Sequence, residues 1–143
     1  MIEIRKFTFN NQELVKKAFA IRHEVFVIEQ ECPPDIEYEF EEESTHFLII
    51  VNNKAVATAR HRETNKGYKL ERFAVLKEER GKNYGNKIVK AILNDLKDYN
   101  GLIYMHAQEQ VIPFYEKIGF QKEGNIFEEA GIMHYKMKLI RNI

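Results

Sequence analysis

The sequence predicts a mixed α+β fold: one mostly antiparallel sheet with a single central parallel pair and helices on both faces. Three observations predict it. Residues Thr45 to Leu76 read as three strands in succession joined by two short turns, which makes an antiparallel meander. A strand, a helical stretch and another strand then follow between Lys69 and Ala107, and such a right-handed crossover implies one parallel pair. The chain of 143 residues, 44% hydrophobic and 31% charged, suits one globular domain over residues 1–143 with a core of its own.

Ile2 to Phe9 alternates apolar and polar residues, the pattern of a strand with one buried face. Asn10 or Asn11 can cap the helix that follows. Leu14, Val15, Ala18, Phe19, Val25 and Phe26 lie along one stripe of it, with Arg22 inside the stripe, and the helix is expected to end near Gln30. Pro33 and Pro34 block its continuation, so the acidic stretch around them reads as a loop. Thr45 to Val51 and Lys54 to Arg62 are strands about an Asn52-Asn53 turn, since Asn tolerates positive φ. Thr64 to Gly67 turns the chain into the Tyr68 to Leu76 strand. Beyond the turn Arg80 to Gly85, Ile88, Ala91, Ile92, Leu93 and Leu96 recur at helical spacing until Asn100-Gly101 stops them. Leu102 to Ala107 is a buried strand. Gln110 to Ile118 is a short helix with Pro113 in its first turn and Gly119 at its end. Phe120 to Glu123 and His134 to Leu139 are short strands around a polar loop that contains Gly124 and Gly131.

Charge and composition exclude several classes of function. Basic residues are scattered and not interleaved with aromatics, so no nucleic-acid surface is expected. No apolar run approaches the ~20 residues of a membrane span, and MIEIRKFTFN lacks the apolar stretch of a signal peptide. The single cysteine, Cys32, permits no intrachain disulfide and suits the reducing cytoplasm. It stands among carboxylates with no activating cation in sequence, so no nucleophilic role is expected. No cysteine pair and no His-x-x-x-His spacing occurs, and no metal site is expected. His106 and His134 read as structural or substrate-facing. Lys and Arg balance Asp and Glu at 22 each, but Glu29 to Glu43 holds eight carboxylates and no Lys or Arg. Such a stretch is a solvated loop or the wall of a site for a cation.

Chemistry concentrates between Lys69 and Leu96, a strand, a turn and a helix. The turn Arg80-Gly81-Lys82-Asn83-Tyr84-Gly85 opens the helix, where unpaired backbone N–H groups and the helix dipole favour phosphate. It is neither a Walker loop nor a dinucleotide fingerprint. A second feature follows the crossover: Phe114-Tyr115-Glu116-Lys117-Ile118-Gly119-Phe120, a short helix running into a strand.

In order and separation these features resemble the GNAT superfamily of acyl-CoA-dependent N-acetyltransferases over essentially the whole chain. The front segment, Arg22 to Gln30, is similar to a small uncharacterised bacterial branch of it. The resemblance implies a GNAT-like fold and acetyl-CoA as donor. Arg80, Gly81, Lys82, Asn83, Tyr84, Gly85 and Asn86 match the pyrophosphate-binding turn, with Asn83 where glycine is usual. Phe73, Ala74 and Val75 match the strand that holds pantetheine, and an N–H near Val75 would polarise the thioester carbonyl. Tyr115 matches the general acid beside the sulfur, read against a plain packed aromatic. Glu71 is the candidate base, taken to share a face with Phe73 two residues on; an ion pair with Arg72 of a neighbour, or with Arg60 or Arg62 on the adjacent strand, stands equally open. Glu29 and Gln30 are candidates to line the acceptor pocket. The expected activity is transfer of acetyl to the primary amine of a small, cationic acceptor by direct attack in a ternary complex. The alternatives are a non-catalytic CoA-binding module and an enzyme like the acyl-homoserine-lactone synthases. The resemblance also implies that the chain forms homodimers.

Overall fold

The computed structural model describes residues 1–32 and 39–140. The strands are β1 (Ile2–Phe7), β2 (Ser44–Val51), β3 (Lys54–Glu63), β4 (Tyr68–Val75), β5 (Ile103–Gln108), β6 (Phe120–Glu129) and β7 (Ile132–Leu139). They form one sheet in the order β1-β2-β3-β4-β5-β7-β6, antiparallel throughout except for the parallel pair β4–β5. Three α-helices cover it: α1 (Gln12–Arg22), α2 (Tyr84–Asp95) and α3 (Ile112–Ile118). The expected architecture is the observed one. Pro33 and Pro34, with the middle of the acidic loop, lie outside the described residues.

Local chemistry explains most boundaries. The Asn11 side chain accepts from the Leu14 N–H at 3.2 Å and caps α1. The helix then continues to the expected end, but its last stretch, His23–Glu29, is wound as a π-helix, with Gln30 N–H reaching Val25 O at 3.0 Å. Asn52 and Asn53 both hold positive φ (50° and 69°) and close the β2–β3 hairpin. At the next turn a Cβ on Gly67 would lie 2.2 Å from the Leu102 carbonyl oxygen, so no larger residue fits.

Two expectations change. The segment around Gly124 to Gly131 is not a loop. β6 runs from Phe120 to Glu129, with a register shift between Glu123 and Phe127 where Gly124 takes φ 84°, and it turns into β7 at Ala130 and Gly131. The glycine that suggested a loop absorbs a bulge inside a long hairpin. The second change is in β4. Between Thr58↔Ala74 and Arg60↔Glu71 the partner strand advances two residues while β4 advances three, and Arg72 takes φ 58°. This bulge reverses the alternation. Phe73 therefore faces the α2 and α3 side, where its ring meets Tyr115 at 5.7 Å, whereas Glu71 faces the α1 side with Arg60. Glu71 and Phe73 do not share a face.

The sheet separates two cores. Leu70, Ile88, Val89, Ile92, Met105 and Met137 belong to the larger one, under α2 and α3. Leu14, Val15, Ala18, Val25, Leu48 and Ala74 belong to the smaller one, under α1. Beside the smaller core lies a buried ionic chain. Arg22 donates to both oxygens of Glu41 (3.0 and 2.6 Å), Arg60 lies 2.8 Å from Glu41, and Arg60 also donates to Glu71 at 3.0 Å. Arg22, within the apolar stripe of α1, is thus buried by pairing with an acid from the far side of the loop.

Candidate active site

The parallel pairing of β4 and β5 lasts three residues and ends at Leu70↔Met105. Beyond it β4 continues to Val75 and β5 to Gln108 with no ladder between them. The two strands splay, leaving the β5-facing backbone of β4 beyond Leu70 without a partner strand. Leu76 N–H turns towards β3 and bonds Val56 O at 3.0 Å, so by strand alternation the N–H groups of Val75 and Phe73 face the gap. A cavity of about 830 Å³ occupies this gap and opens on both faces of the sheet.

At one end stands the turn before α2. Gly81 and Asn83 take φ 83° and 72°, the left-handed region that Asn tolerates best after glycine. Lys87 N–H makes the first intrahelical bond, to Asn83 O at 3.1 Å, and the N–H groups of residues 81 to 86 bond no backbone carbonyl among the described residues. This row of donors at the positive end of a twelve-residue helix fits a pyrophosphate. A Cβ on Gly81 would meet nothing within 4 Å, whereas one on Gly85 would sit 3.4 Å from the Phe114 ring. Arg80 holds the turn in place. Its Nε donates to Val75 O at 3.0 Å and its two terminal nitrogens grip Glu29 at 2.7 and 2.8 Å. That fork holds the Glu29 carboxyl below its usual range. Tyr84 is a core side chain, so only its backbone is available to a ligand. Lys82 lies outside the cavity and pairs with Glu79 at 3.1 Å.

On the α2 and α3 side, Tyr115 is buried among Phe73, Phe114 and Phe120. Among the described residues its hydroxyl has no hydrogen-bond partner, and burial pushes that hydroxyl above its ordinary pKa. It therefore stays protonated and can donate.

The α1 side is charged. Glu71 receives Arg60, Arg62 and Lys69 at 3.0, 2.6 and 3.2 Å. Burial alone would raise its carboxyl, but the charge of Arg60, the hydrogen bond from Arg62 and the charge of Lys69 outweigh this and hold it at about 2. Gln30 reaches across the cavity mouth to Gln108 on β5, which donates to it at 2.9 Å. Beside Gln108, His106 Nδ1 lies 3.2 Å from Glu129 Oε2. The pairing of His106 with Glu129 was not expected from the sequence. It depends on the β6–β7 hairpin, which brings residues 23 apart together, and no local pattern announces it.

The structure thus gathers Glu29, Gln30, Glu71, the Phe73 to Val75 strand, the turn and Tyr115 around one cavity, and leaves out Lys82. Among the described residues no cluster of His, Cys, Asp and Glu could hold a metal ion, and no helix is long and apolar enough to cross a membrane.

Comparison with known proteins agrees with this geometry. The family described as Acetyltransferase (GNAT) domain matches residues 8–141. The uncharacterised N-acetyltransferase YjcF of Bacillus subtilis is 40% identical over 134 residues, covering 89% of this chain and 93% of that protein. The crystal structure of Escherichia coli ElaA superposes with a TM-score of 0.88 at 24% identity, over 98% of this chain and all of that one. An aminoglycoside 6′-N-acetyltransferase complexed with coenzyme A superposes at 0.77 and 16% identity, over 99% of both chains. These last two likenesses are of fold. The family match and the YjcF relationship span most of the chain, and by them it belongs to the GNAT acetyltransferases, as an acyl-CoA-dependent acyltransferase.

Proposed function

We propose that the chain transfers the acetyl group of acetyl-CoA to the primary amine of a small, cationic acceptor, by direct attack with both bound. The observation that carries this reading is the gap between β4 and β5, with donor amides at its end and chemically different walls on its two faces. Acetyl-CoA, when bound, supplies the thioester carbon. Residues 81 to 86 hold its pyrophosphate through backbone N–H groups. Phe73 and Val75 offer N–H groups to pantetheine and to the carbonyl oxygen, where charge develops. Tyr115 gives its proton to the departing sulfur from the α2 and α3 side.

The acceptor reaches the carbonyl from the α1 side, past Gln30 and Gln108. Glu29, Glu39 and Glu129 line that approach beside Arg62, Lys69 and Arg72; Glu29 is held by Arg80, Glu129 by His106 and Glu41 by Arg22 and Arg60, which leaves the Glu39 carboxylate to favour a cationic amine. Glu71 is a poor base for an ammonium. Its lone pairs are taken by three cations, and a carboxyl held at about 2 has little affinity for a proton. Its role in this reading is to fix Arg62 and Lys69 on the acceptor wall and the buried Arg60 behind them.

Titration calorimetry with acetyl-CoA, followed by thiol release across a panel of primary amines, tests the proposal. Binding and amine-dependent thiol release are expected. Absence of acetyl-CoA binding would sink it, and binding without release on any amine would favour a CoA-binding module.

A further inference from the structure

We infer that His106, oriented by Glu129, is the general base that takes the proton from the acceptor ammonium; the inference rests on the transferase reading above and completes it. His106 is the first residue of β5 past the last parallel pair, Leu70↔Met105, so it stands where the strands begin to splay. Its neighbours Met105 and Ala107 are buried in the core under α2 and α3, so strand alternation turns His106 to the acceptor side. Its side chain is 27% exposed and lines the cavity.

Its setting is that of an oriented imidazole. Nδ1 donates to Glu129 Oε2 at 3.2 Å, which leaves the lone pair on Nε2, and among the described residues Nε2 has no partner. The Phe127 ring packs edge-on against it at 5.0 Å, and the hydrogen bond from His106 holds the Glu129 carboxyl below its usual range. The other ionisable groups around it are accounted for. Tyr104 lies on its own strand with the Lys136 amine over its ring. Lys136, opposite His106 on β7, pairs with Glu123 at 3.0 Å. His134 on β7 lies 4.0 Å from Glu129. Lys69 and Glu71 on β4 pair with each other. Glu129 is therefore the carboxylate that His106 itself meets.

The step balances. His106 Nε2 takes one proton from the ammonium and later passes it to solvent. The freed lone pair forms the N–C bond as the C–S bond breaks. Tyr115 protonates the sulfur, and the extra proton on the new amide nitrogen restores the tyrosine. One thiol, one amide and one released proton result. His106 is the catalytic residue and Glu129 a positioning residue.

His106→Gln is expected to lower kcat/KM for the amine about 10²-fold at pH 7, with acetyl-CoA affinity by calorimetry unchanged as the control for folding. The loss should shrink for a weakly basic amine that is already neutral at that pH. Glu129→Gln takes the anionic acceptor away from Nδ1, so kcat for the amine should fall severalfold with its KM and the acetyl-CoA affinity unchanged, a split that a merely structural role would not give. A His106→Gln enzyme with wild-type kcat/KM, or a Glu129→Gln enzyme with wild-type kcat, while the wild type releases thiol, overturns the dyad alone. A wild type that releases thiol with no amine overturns the transferase reading and the dyad with it.

Discussion

A buried carboxylate that accepts from Arg60, Arg62 and Lys69 gives its removal a pH signature. The Glu71 value of about 2 lies below its ordinary 4.5. Its contribution to stability is therefore complete above about 4.5 and is lost as pH falls towards 2. Glu71→Gln is expected to destabilise the protein by about 3–5 kcal/mol at pH 7, because it leaves buried Arg60 with Glu41 as its remaining carboxylate. Urea midpoints measured from pH 7 downwards should show that deficit narrowing between about 4.5 and 2. Tyr115 makes the contrasting case. It is buried in the core against the Phe73, Phe114 and Phe120 rings and its hydroxyl has no hydrogen-bond partner among the described residues, so Tyr115→Phe keeps the packing and deletes the acid. Acetyl-CoA binding should be unchanged while kcat falls about 10²-fold, and wild-type turnover in that variant would show that the hydroxyl transfers no proton.

At the scale of elements, Asn83 and Arg72 are two non-glycine residues with positive φ that shape the site, and they were unequally legible. Asn83 stands where the turn needs a left-handed residue, and asparagine announces that tolerance in the sequence. Replacing it with glycine should leave stability and acetyl-CoA affinity near wild type, because its side chain makes no capping bond to α2. Asn83→Ala should cost about 1–2 kcal/mol in thermal or urea unfolding. Arg72 carries no such announcement. Its φ of 58° is imposed by what packs on either side of it: Phe73 against Tyr115 on one face, Ala74 in the core under α1 on the other. Counting by twos along β4 therefore put Glu71 and Phe73 on one face, and the bulge separates them. The strands, the turn and the Tyr115 helix were readable because each is written in neighbouring residues. The Arg22–Glu41 pair and the His106–Glu129 pair were not, because each joins residues 19 or more apart in sequence through sheet pairing and loop closure.

At the scale of the whole molecule, the fold is a continuous sheet with one place where it opens. Strands β1 to β4 and the β5–β7–β6 set are each closed by antiparallel ladders, and the three parallel pairs of β4–β5 join them. The donor should therefore act as a missing strand across the splay, tying the two halves together. Hydrogen exchange with and without acetyl-CoA tests this. Slowed exchange is expected at Phe73 and Val75, which face the gap, and at the amides of residues 81 to 86. The amides paired within β1–β2 and β2–β3 should exchange at unchanged rates. Because the ligand binds the splayed native sheet and not the unfolded chain, a concentration of 100 Kd should add about 2.7 kcal/mol of stability. For a chain of this length that is a rise in Tm of several degrees, on the order of 5–15 °C. Protection spread evenly over all strands would mean that the ligand stiffens the sheet as a whole, and the splay would then not be its seat.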